Sequence, residues 1–518
     1  MKTIFLTDDR DPVARKLVPM LESKGYRIVS NCLSGEPVTA SCRQVTIELS
    51  ESGPLTEILS GLGDSLCGVL HPMPPFRAGA LEDAADRLWE QVLDDGPLAA
   101  VNVAKAAGEV FARSGKGSVV FLGDLHAEKP TGCAPFYSMA CGAVQMLCRE
   151  AALDYGAKGV SFHFLQRGVM DTDLDRKHSR SNLYSAPELQ YPSGRLQRAE
   201  ELTGLVSFLF SGEGNVLNGA DLRADQGLSM YYGKQLRDEE IEALVQKQKE
   251  MAQTPEEFVH GPVRTQSMKG RVALITGGGK GVGAGIARVF CAAGMKVCIG
   301  WNTSEALAHK TLAEIKQMGG EAFLFQADIS DREQIRAMVE ETVLRYGGID
   351  VLVNNAALQP NLFLKQYDTA LFRRLWNINV GGYWRSLQLC LPYLRKSRYG
   401  RVINISSIHG KRPTVFDPGY AMTKGAVRMF TREAALELAE KDITVNAVEL
   451  GYCRIEGKTG NYLFRIEKPP QTVLNSPNPL SRVCEPEDAG FLALYLASSE
   501  AATLTGAGVR LDGGSMMV

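Results

Sequence analysis

The chain has 518 residues, 45% hydrophobic and 22% charged, and its 57 Lys+Arg nearly balance 59 Asp+Glu for a formal charge of −2. This length calls for at least two domains of roughly 100–200 residues, and the apolar content excludes disordered and collagen-like classes. Near-neutrality without a basic run argues against a nucleic-acid partner, and the chain lacks the run of about 18 apolar residues that a membrane span needs.

From the N-terminus, only a short apolar stretch precedes Asp8 and Asp9, which does not read as a secretory leader. The 11 cysteines are scattered from Cys32 to Cys484 with no CxxC pair, so no metal site is expected and reduced thiols in a cytoplasmic protein are. The helical segment from Tyr137 to Leu153 then recurs as Tyr420 to Leu436, with eleven identities in seventeen positions at an offset of 283 residues (420 − 137). A second echo pairs Asn218–Gly227 with Thr505–Gly514. Two copies of a whole domain are implied, not a solenoid. Between them, Lys234–Met268 is rich in charge and reads as a linker, partly helical around Asp238–Met251. The domains are placed at 1–235 and 269–518, with 236–268 as linker.

In the second half, short apolar runs at Val272–Ile275, Lys296–Ile299, Ala322–Phe325, Val351–Val353, Val402–Ile405 and Thr444–Val448 read as buried strands. Helical patterns such as Glu333–Arg345 and Ala426–Leu438 separate them. Strands alternating with helices predict an α/β fold with a parallel sheet covered on both faces, written twice in tandem. After the first of these strands, Thr276-Gly277-Gly278-Gly279-Lys280-Gly281-Val282-Gly283 opens a helix-compatible stretch. Glycines there permit a tight turn and close approach of backbone to a pyrophosphate, and the helix start supplies N–H donors. An ordinary strand–helix loop is the competing reading of such a turn on its own.

Farther on, Tyr420 and Lys424 are four residues apart, on one helix face, and Ser407 precedes the tyrosine by thirteen. A neighbouring ammonium lowers a phenol's pKa, which suits Tyr420 to general acid/base work, with Ser407 on the substrate oxygen. A lone Tyr-x-x-x-Lys is more often an exposed helical pair; the ensemble decides here. Residues 269–518 resemble the short-chain dehydrogenase/reductase family, with Thr276–Gly283 matching its glycine motif, Asn354-Asn355-Ala356-Ala357 its NNAG and Asn377-Ile378-Asn379-Val380 its helix-four asparagine. Pro486-Glu487-Asp488 and Asp512-Gly513-Gly514 match its C-terminal signature.

The resemblance implies a doubly wound Rossmann-like domain and a nicotinamide cofactor held by Thr276, Gly277, Gly279, Lys280, Gly281, Val282, Gly283, Asn302, Asp328, Ile329, Asn355, Ala356, Ala357, Tyr420, Lys424 and Gly451. It also implies Asn379, Ser407, Tyr420 and Lys424 as catalytic residues interconverting an alcohol and a carbonyl. The family's PGxxxT loop departs here to Leu450-Gly451-Tyr452-Cys453-Arg454-Ile455. At the end of the second strand stand Trp301 and Asn302, with no carboxylate, and Lys280 occupies the place of a basic residue in NADP-preferring members. NADP(H) is favoured, with NAD(H) open. The substrate is expected to be a small polar carbonyl, sugar-like polyol or ketoacyl compound. The segment Gly451–Pro479, with Arg454, Lys458, Arg465 and Lys468, is the lid in the family, and His409 could line the pocket. A regulatory cofactor-binding scaffold without turnover, or a dehydratase or epimerase, stays as an alternative.

The first half lacks this equipment. Its equivalent loop, Thr7-Asp8-Asp9-Arg10-Asp11-Pro12, has three acids and no glycine, Asp124 stands for Ser407, and Cys141 replaces Lys424 while Tyr137 remains. No asparagine lies near Asp94–Gly96, the Asn379 equivalent. This half is expected to be non-catalytic and to serve as an intramolecular pseudo-partner, with a further homo-oligomer possible.

Overall fold

Mostly apolar runs of three to eight residues, alternating with helices, can bury both faces only in a parallel sheet. The computed structural model describes residues 1–76, 79–82, 84–130, 134–172, 196–228, 268–414, 417–455 and 484–516, and holds two such sheets. The first contains β1 (Thr3–Leu6), β2 (Arg27–Asn31), β3 (Arg43–Val45), β4 (Leu66–Pro72), β5 (Gly117–Asp124), β6 (Val160–Arg167) and β7 (Asp221–Ala224) in the order 3-2-1-4-5-6-7. The second repeats that order with β8 (Val272–Ile275), β9 (Lys296–Trp301), β10 (Glu321–Gln326), β11 (Val351–Asn354), β12 (Arg401–Ser407), β13 (Thr444–Leu450) and β14 (Gly508–Leu511). The neighbouring strands pair in parallel throughout, and in each sheet the order reverses between the first and fourth strands, where a crevice opens at the carboxyl ends.

In the first half the helices are α1 (Pro12–Ser23), α2 (Ser52–Gly61), α3 (Asp86–Leu93), α4 (Ala99–Ser114), α5 (Pro135–Tyr155) and α6 (Thr203–Ser211). The second half holds α7 (Gly281–Ala292), α8 (Glu305–Gln317), α9 (Arg332–Tyr346), α10 (Thr369–Trp376), α11 (Gly382–Leu394), α12 (Pro418–Leu438) and α13 (Pro486–Ala497). One apolar cluster lies between the first sheet and α1 and α6, a second between the other sheet and α7 and α13. The third and largest is continuous across both halves, running from Val103 and Leu147 to Trp384 and Phe430.

Each predicted strand of the second half is present, longer by one to three residues in five of the six cases. The helix expected at Ala426 begins at Pro418, because Asp417 caps it and a proline suits the first helical position. Residues 236–267 of the expected linker, including its predicted helix, and most of the 451–479 segment lie outside the described residues, whereas Met268, placed in the linker, is buried in the apolar cluster beneath α7 and α13.

Where the halves meet, α5 and α12 cross at Gly142 and Gly425. A Cβ on Gly142 would lie 2.8 Å from the Gly425 carbonyl oxygen, and one on Gly425 would lie 2.5 Å from that of Gly142. The flanking contacts obey the same 283-residue relation: Arg149 donates to the Lys411 carbonyl at 2.7 Å and Arg432 to the Glu128 carbonyl at 2.7 Å. Off this axis the halves differ. Trp89 of α3 stacks on Trp384 and Trp376, with centroids 5.4 and 5.8 Å away, and donates to Asn377 Oδ1 at 2.9 Å.

Candidate active site

Between β8 and α7 the backbone makes a turn that side chains would obstruct. Gly277 (φ +64°) and Gly281 (φ +56°) sit in the left-handed region, and a Cβ on Gly277 would lie 2.8 Å from Ala356 Cα. A Cβ on Gly283 would strike the Gly277 carbonyl oxygen, and one on Gly279 would meet Ala308 at 2.8 Å. Thr276 Oγ1 accepts from the N–H groups of Asn355 (3.0 Å) and Ala356 (3.2 Å), while the Asn355 side chain donates to the carbonyls of Thr276 (3.0 Å) and Gly277 (2.9 Å). The Asn355-Ala356-Ala357 segment is thereby pinned to the glycine turn. The start of α7, with Val282 in its first turn, supplies donors for an anion. This cradle fits a dinucleotide pyrophosphate.

Lys280 immediately precedes α7 and its Nζ donates to Ser304 Oγ at 2.8 Å, beside the end of β9 at Trp301. The Asn302 carbonyl accepts from Gln326 Nε2 at 3.0 Å. Asp328 turns its carboxylate onto Ser330, accepting from N (2.8 Å) and Oγ (2.7 Å), and Ile329 is buried against Gly382. Gly451 N–H donates to the Leu511 carbonyl at 3.0 Å, and Ile455, at the end of the departed loop, lies over Gly281.

Deeper in the crevice, Tyr420 and Lys424 occupy successive turns of α12, with Nζ 5.4 Å from the phenol ring centroid. Lys424 is 1% exposed and donates to the Ile405 carbonyl at 2.8 Å; burial pushes its ammonium down to about 7. Asn379 lies in a π-turn (Asn377–Gly381), a wide turn often found at functional sites. Its carboxamide exchanges hydrogen bonds with the Leu358 backbone at 2.7 and 2.8 Å and donates to Thr423 Oγ1 at 3.0 Å. Thr423 Oγ1 in turn donates to the Tyr420 carbonyl at 2.7 Å. Ser407 ends β12, two residues beyond the carbonyl that holds Lys424, and accepts from His409 N–H at 3.2 Å. His409 donates through Nδ1 to the Arg412 carbonyl at 3.1 Å, and burial pushes its imidazole down to about 4. Arg454 is exposed and pairs with Glu485 at 3.3 Å; Lys458, Arg465 and Lys468 lie outside the described residues.

Sequence reasoning missed three supporting side chains. Tyr383 lies near Lys424 (ring centroid 5.5 Å from Nζ) and donates to the Ile405 carbonyl at 3.0 Å. Thr423 links Asn379 to Tyr420. Asp417 caps α12, accepting from Tyr420 N–H at 3.3 Å; an acid before a proline just ahead of a periodic helix was the available signal.

In the first half the same places are filled. Asp8 takes Arg10, at 2.7 Å. Asp9 accepts from the N–H groups of Leu33 (2.8 Å) and Ser34 (2.9 Å) and pairs with Arg15 at 3.3 Å. Asp11 caps α1 and holds Arg167 through two bonds of 3.0 and 2.8 Å. Asp124, in the Ser407 place, binds His126, and Arg167 lies 4.0 Å away. Burial pushes the Tyr137 phenol and the Cys141 thiol well above their usual ranges. These residues do not fit a dinucleotide. Among the described residues no group of His, Cys, Asp or Glu could hold a metal ion, and no helix is long and apolar enough to cross a membrane.

Comparison with known proteins matches each half. Residues 271–461 match the family model for short chain dehydrogenase, and residues 65–229 match the model described as enoyl-(acyl carrier protein) reductase. The chain is similar to the 3-oxoacyl-(acyl-carrier-protein) reductase FabG of Thermotoga maritima, 34% identical over 247 residues, 48% of this chain and 98% of that protein. It is likewise similar to glucose 1-dehydrogenase 2 of Bacillus subtilis, 32% identical over 252 residues, 48% of this chain and 96% of the relative. A solved short-chain type dehydrogenase/reductase from Mycobacterium marinum is 30% identical, covering 49% of this chain and 98% of its own, with a TM-score of 0.45. With two parallel α/β sheets and relatives matched over nearly their whole length, the chain belongs to the short-chain dehydrogenase/reductase family of oxidoreductases.

Proposed function

We propose that residues 269–518 form an oxidoreductase domain that interconverts a secondary alcohol and a ketone with NADP(H), and that residues 1–235 form a non-catalytic intramolecular partner. The observation that carries this reading is the asymmetry at one helical position. A buried lysine stands one turn from Tyr420 in the half with the open glycine cradle, and a neutral cysteine stands one turn from Tyr137 in the half whose crevice is filled with ion pairs.

When bound, the cofactor supplies or accepts the hydride. The chain's own residues do the rest. Tyr420 Oη gives its proton to the carbonyl oxygen in reduction and takes it back in oxidation. In its protonated form Lys424 favours the phenolate by its positive charge, and it contacts the cofactor ribose. Ser407 orients the substrate oxygen, and Asn379 fixes the backbone at Leu358 and, through Thr423, at Tyr420. The absence of a carboxylate at Trp301–Asn302, with Lys280 held beside Ser304, supports the 2′-phosphorylated cofactor. The two relatives' names include a 3-oxoacyl and a sugar substrate, so acetoacetyl-coenzyme A and glucose are suitable first probes.

The test is Tyr420→Phe in the full chain. Turnover of acetoacetyl-coenzyme A with NADPH, or of glucose with NADP+, should fall by about 10²-fold or more, the upper part of what an acid/base group contributes, while NADPH binding stays. Wild-type turnover in the variant would refute the assignment. Reduction should weaken and oxidation strengthen as pH rises through the tyrosine's pKa, because the two directions need opposite protonation states.

A further inference from the structure

We propose that Glu150, a carboxyl group of the first half, is a positioning residue for Tyr420 in the second. This rests on the reading of Tyr420 as the acid/base group. Glu150 lies on α5, 1% exposed, and its Oε1 accepts from the Thr414 N–H at 2.5 Å across the boundary between the halves. Thr414 Oγ1 then accepts from the Asp417 N–H at 2.7 Å, and the Asp417 carboxylate accepts from the Tyr420 N–H at 3.3 Å. Three hydrogen bonds thus run from the inactive half to the backbone of the proposed catalytic tyrosine.

A second line reaches Asp417 from the other side. Lys105 of α4 donates to the Tyr367 carbonyl at 2.5 Å, Asp154 of α5 accepts from the Leu364 N–H at 3.1 Å, and the Tyr367 hydroxyl donates to Asp417. Asp417 also accepts from the Asn361 N–H at 2.9 Å. The loop ahead of α12 is therefore fastened by groups of the first half on two flanks.

Glu150 faces Asp154 and Asp417, both acids, and burial raises its carboxyl well above the ordinary range. A buried carboxyl beside two others is costly and adds nothing to packing that glutamine or leucine would not. The internal repeat nevertheless keeps the pair: the residue 283 positions on is Glu433, which accepts from Ser138 Oγ at 2.5 Å beside Tyr137. Each half's glutamate reaches across to the other, Glu433 to Ser138 within α5 and Glu150 to Thr414 just ahead of α12, and only Glu150 is linked to a tyrosine that has a lysine one turn away.

The experiment compares Glu150→Ala, Glu150→Gln and Glu150→Asp in the full chain, with Glu82→Ala as a control for an exposed pair between the halves (Glu82–Arg395) remote from the loop. In E150A, kcat with acetoacetyl-coenzyme A and NADPH, or with glucose and NADP+, should fall on the order of 10- to 100-fold, the penalty of small misplacement, with cofactor affinity unchanged. The rising limb of alcohol oxidation should move to higher pH. A substrate-free readout is the ultraviolet difference titration of Tyr420 (each protein minus its Y420F form), whose midpoint should move up in E150A. E150Q, which still accepts from Thr414, should restore both readouts, and E82A should leave both at wild-type values. If E150A does not fold, E150D carries the test, because it retracts the carboxylate by one methylene and should show the same changes to a smaller degree. Wild-type kcat and titration in folded E150A or E150D overturns the proposal, as does an equal loss in E150A and E150Q. An active Y420F protein would instead overturn the catalytic reading beneath it.

Discussion

Lys424 is placed where function and stability pull apart. Its ammonium is buried, and its folded-state pKa of about 7 lies below the ordinary 10.5. Below pH 7 the folded protein bears the full cost of a buried charge. Between pH 7 and 10.5 the folded state has lost the proton that the unfolded state keeps, so the cost shrinks as pH rises. Lys424→Met should therefore stabilise the chain at pH 6, on the order of a few kcal/mol, with the gain fading toward pH 10. The Ile405 carbonyl would keep the Tyr383 hydroxyl as donor, so the substitution strands no buried acceptor. Turnover should be lost in the same variant; thermal melts at pH 6 and pH 9.5 beside a kinetic assay check both limbs, and a lower melting temperature at pH 6 would count against the burial argument. The Tyr-x-x-x-Lys spacing made this pair legible in the sequence. Burial, the shared Ile405 carbonyl and Tyr383 were not legible, because they depend on which strand and helix the fold brings beneath the lysine.

At the scale of elements, the crossing of α5 and α12 is decided by two glycines that a helix would normally replace with alanine. Alanine at Gly142 would gain up to about 1 kcal/mol in helix propensity. Its Cβ would also lie 2.8 Å from the Gly425 carbonyl oxygen, a backbone atom of the facing helix that cannot rotate aside. Forcing such a contact costs about 1–3 kcal/mol, so the clash should win and Gly142→Ala should lower the melting temperature. Gly204, in α6 with nothing within 4 Å of its Cβ position, isolates the other term: Gly204→Ala should raise it slightly. Equal shifts in the two variants would mean that the crossing is looser than described. The repeat had singled out this helix, since Gly142 and Gly425 are among its identities. What the repeat could not disclose was which face of each helix meets the other, nor the stacking of Trp89 on Trp384 and Trp376, which has no counterpart 283 residues away. β14, short and half-exposed, was also missed as a strand, because its alternating pattern of Gly508–Leu511 carries no buried apolar run.

For the whole molecule, the 283-residue relation makes a homodimer of the second half geometrically conceivable, and one charge argues that the tandem chain is the better arrangement. In a pair of identical second halves, Glu433 would take the place of Glu150 at the Thr414 N–H, and Arg432 that of Arg149 at the Lys411 carbonyl. The position of Glu128, however, would be occupied by Lys411, 283 residues on. In the tandem chain Glu128 receives Arg428 at 3.1 Å and Arg432 at 4.0 Å, with Arg428 buried. A homodimer would set Lys411 against these arginines twice, and juxtaposed like charges disfavour a partner. A fragment of residues 265–518 should therefore dimerise weakly, retain activity only as the dimer, and lose it on dilution. Arg428→Gln, which installs the residue found at the equivalent Gln145, should tighten that dimer and restore activity at lower concentration. Sedimentation velocity with a parallel assay across a dilution series checks this. A fragment that is monomeric and fully active would show that the second half needs no partner, and would leave the contacts of Glu150, Lys105 and Asp154 across the boundary without a catalytic purpose.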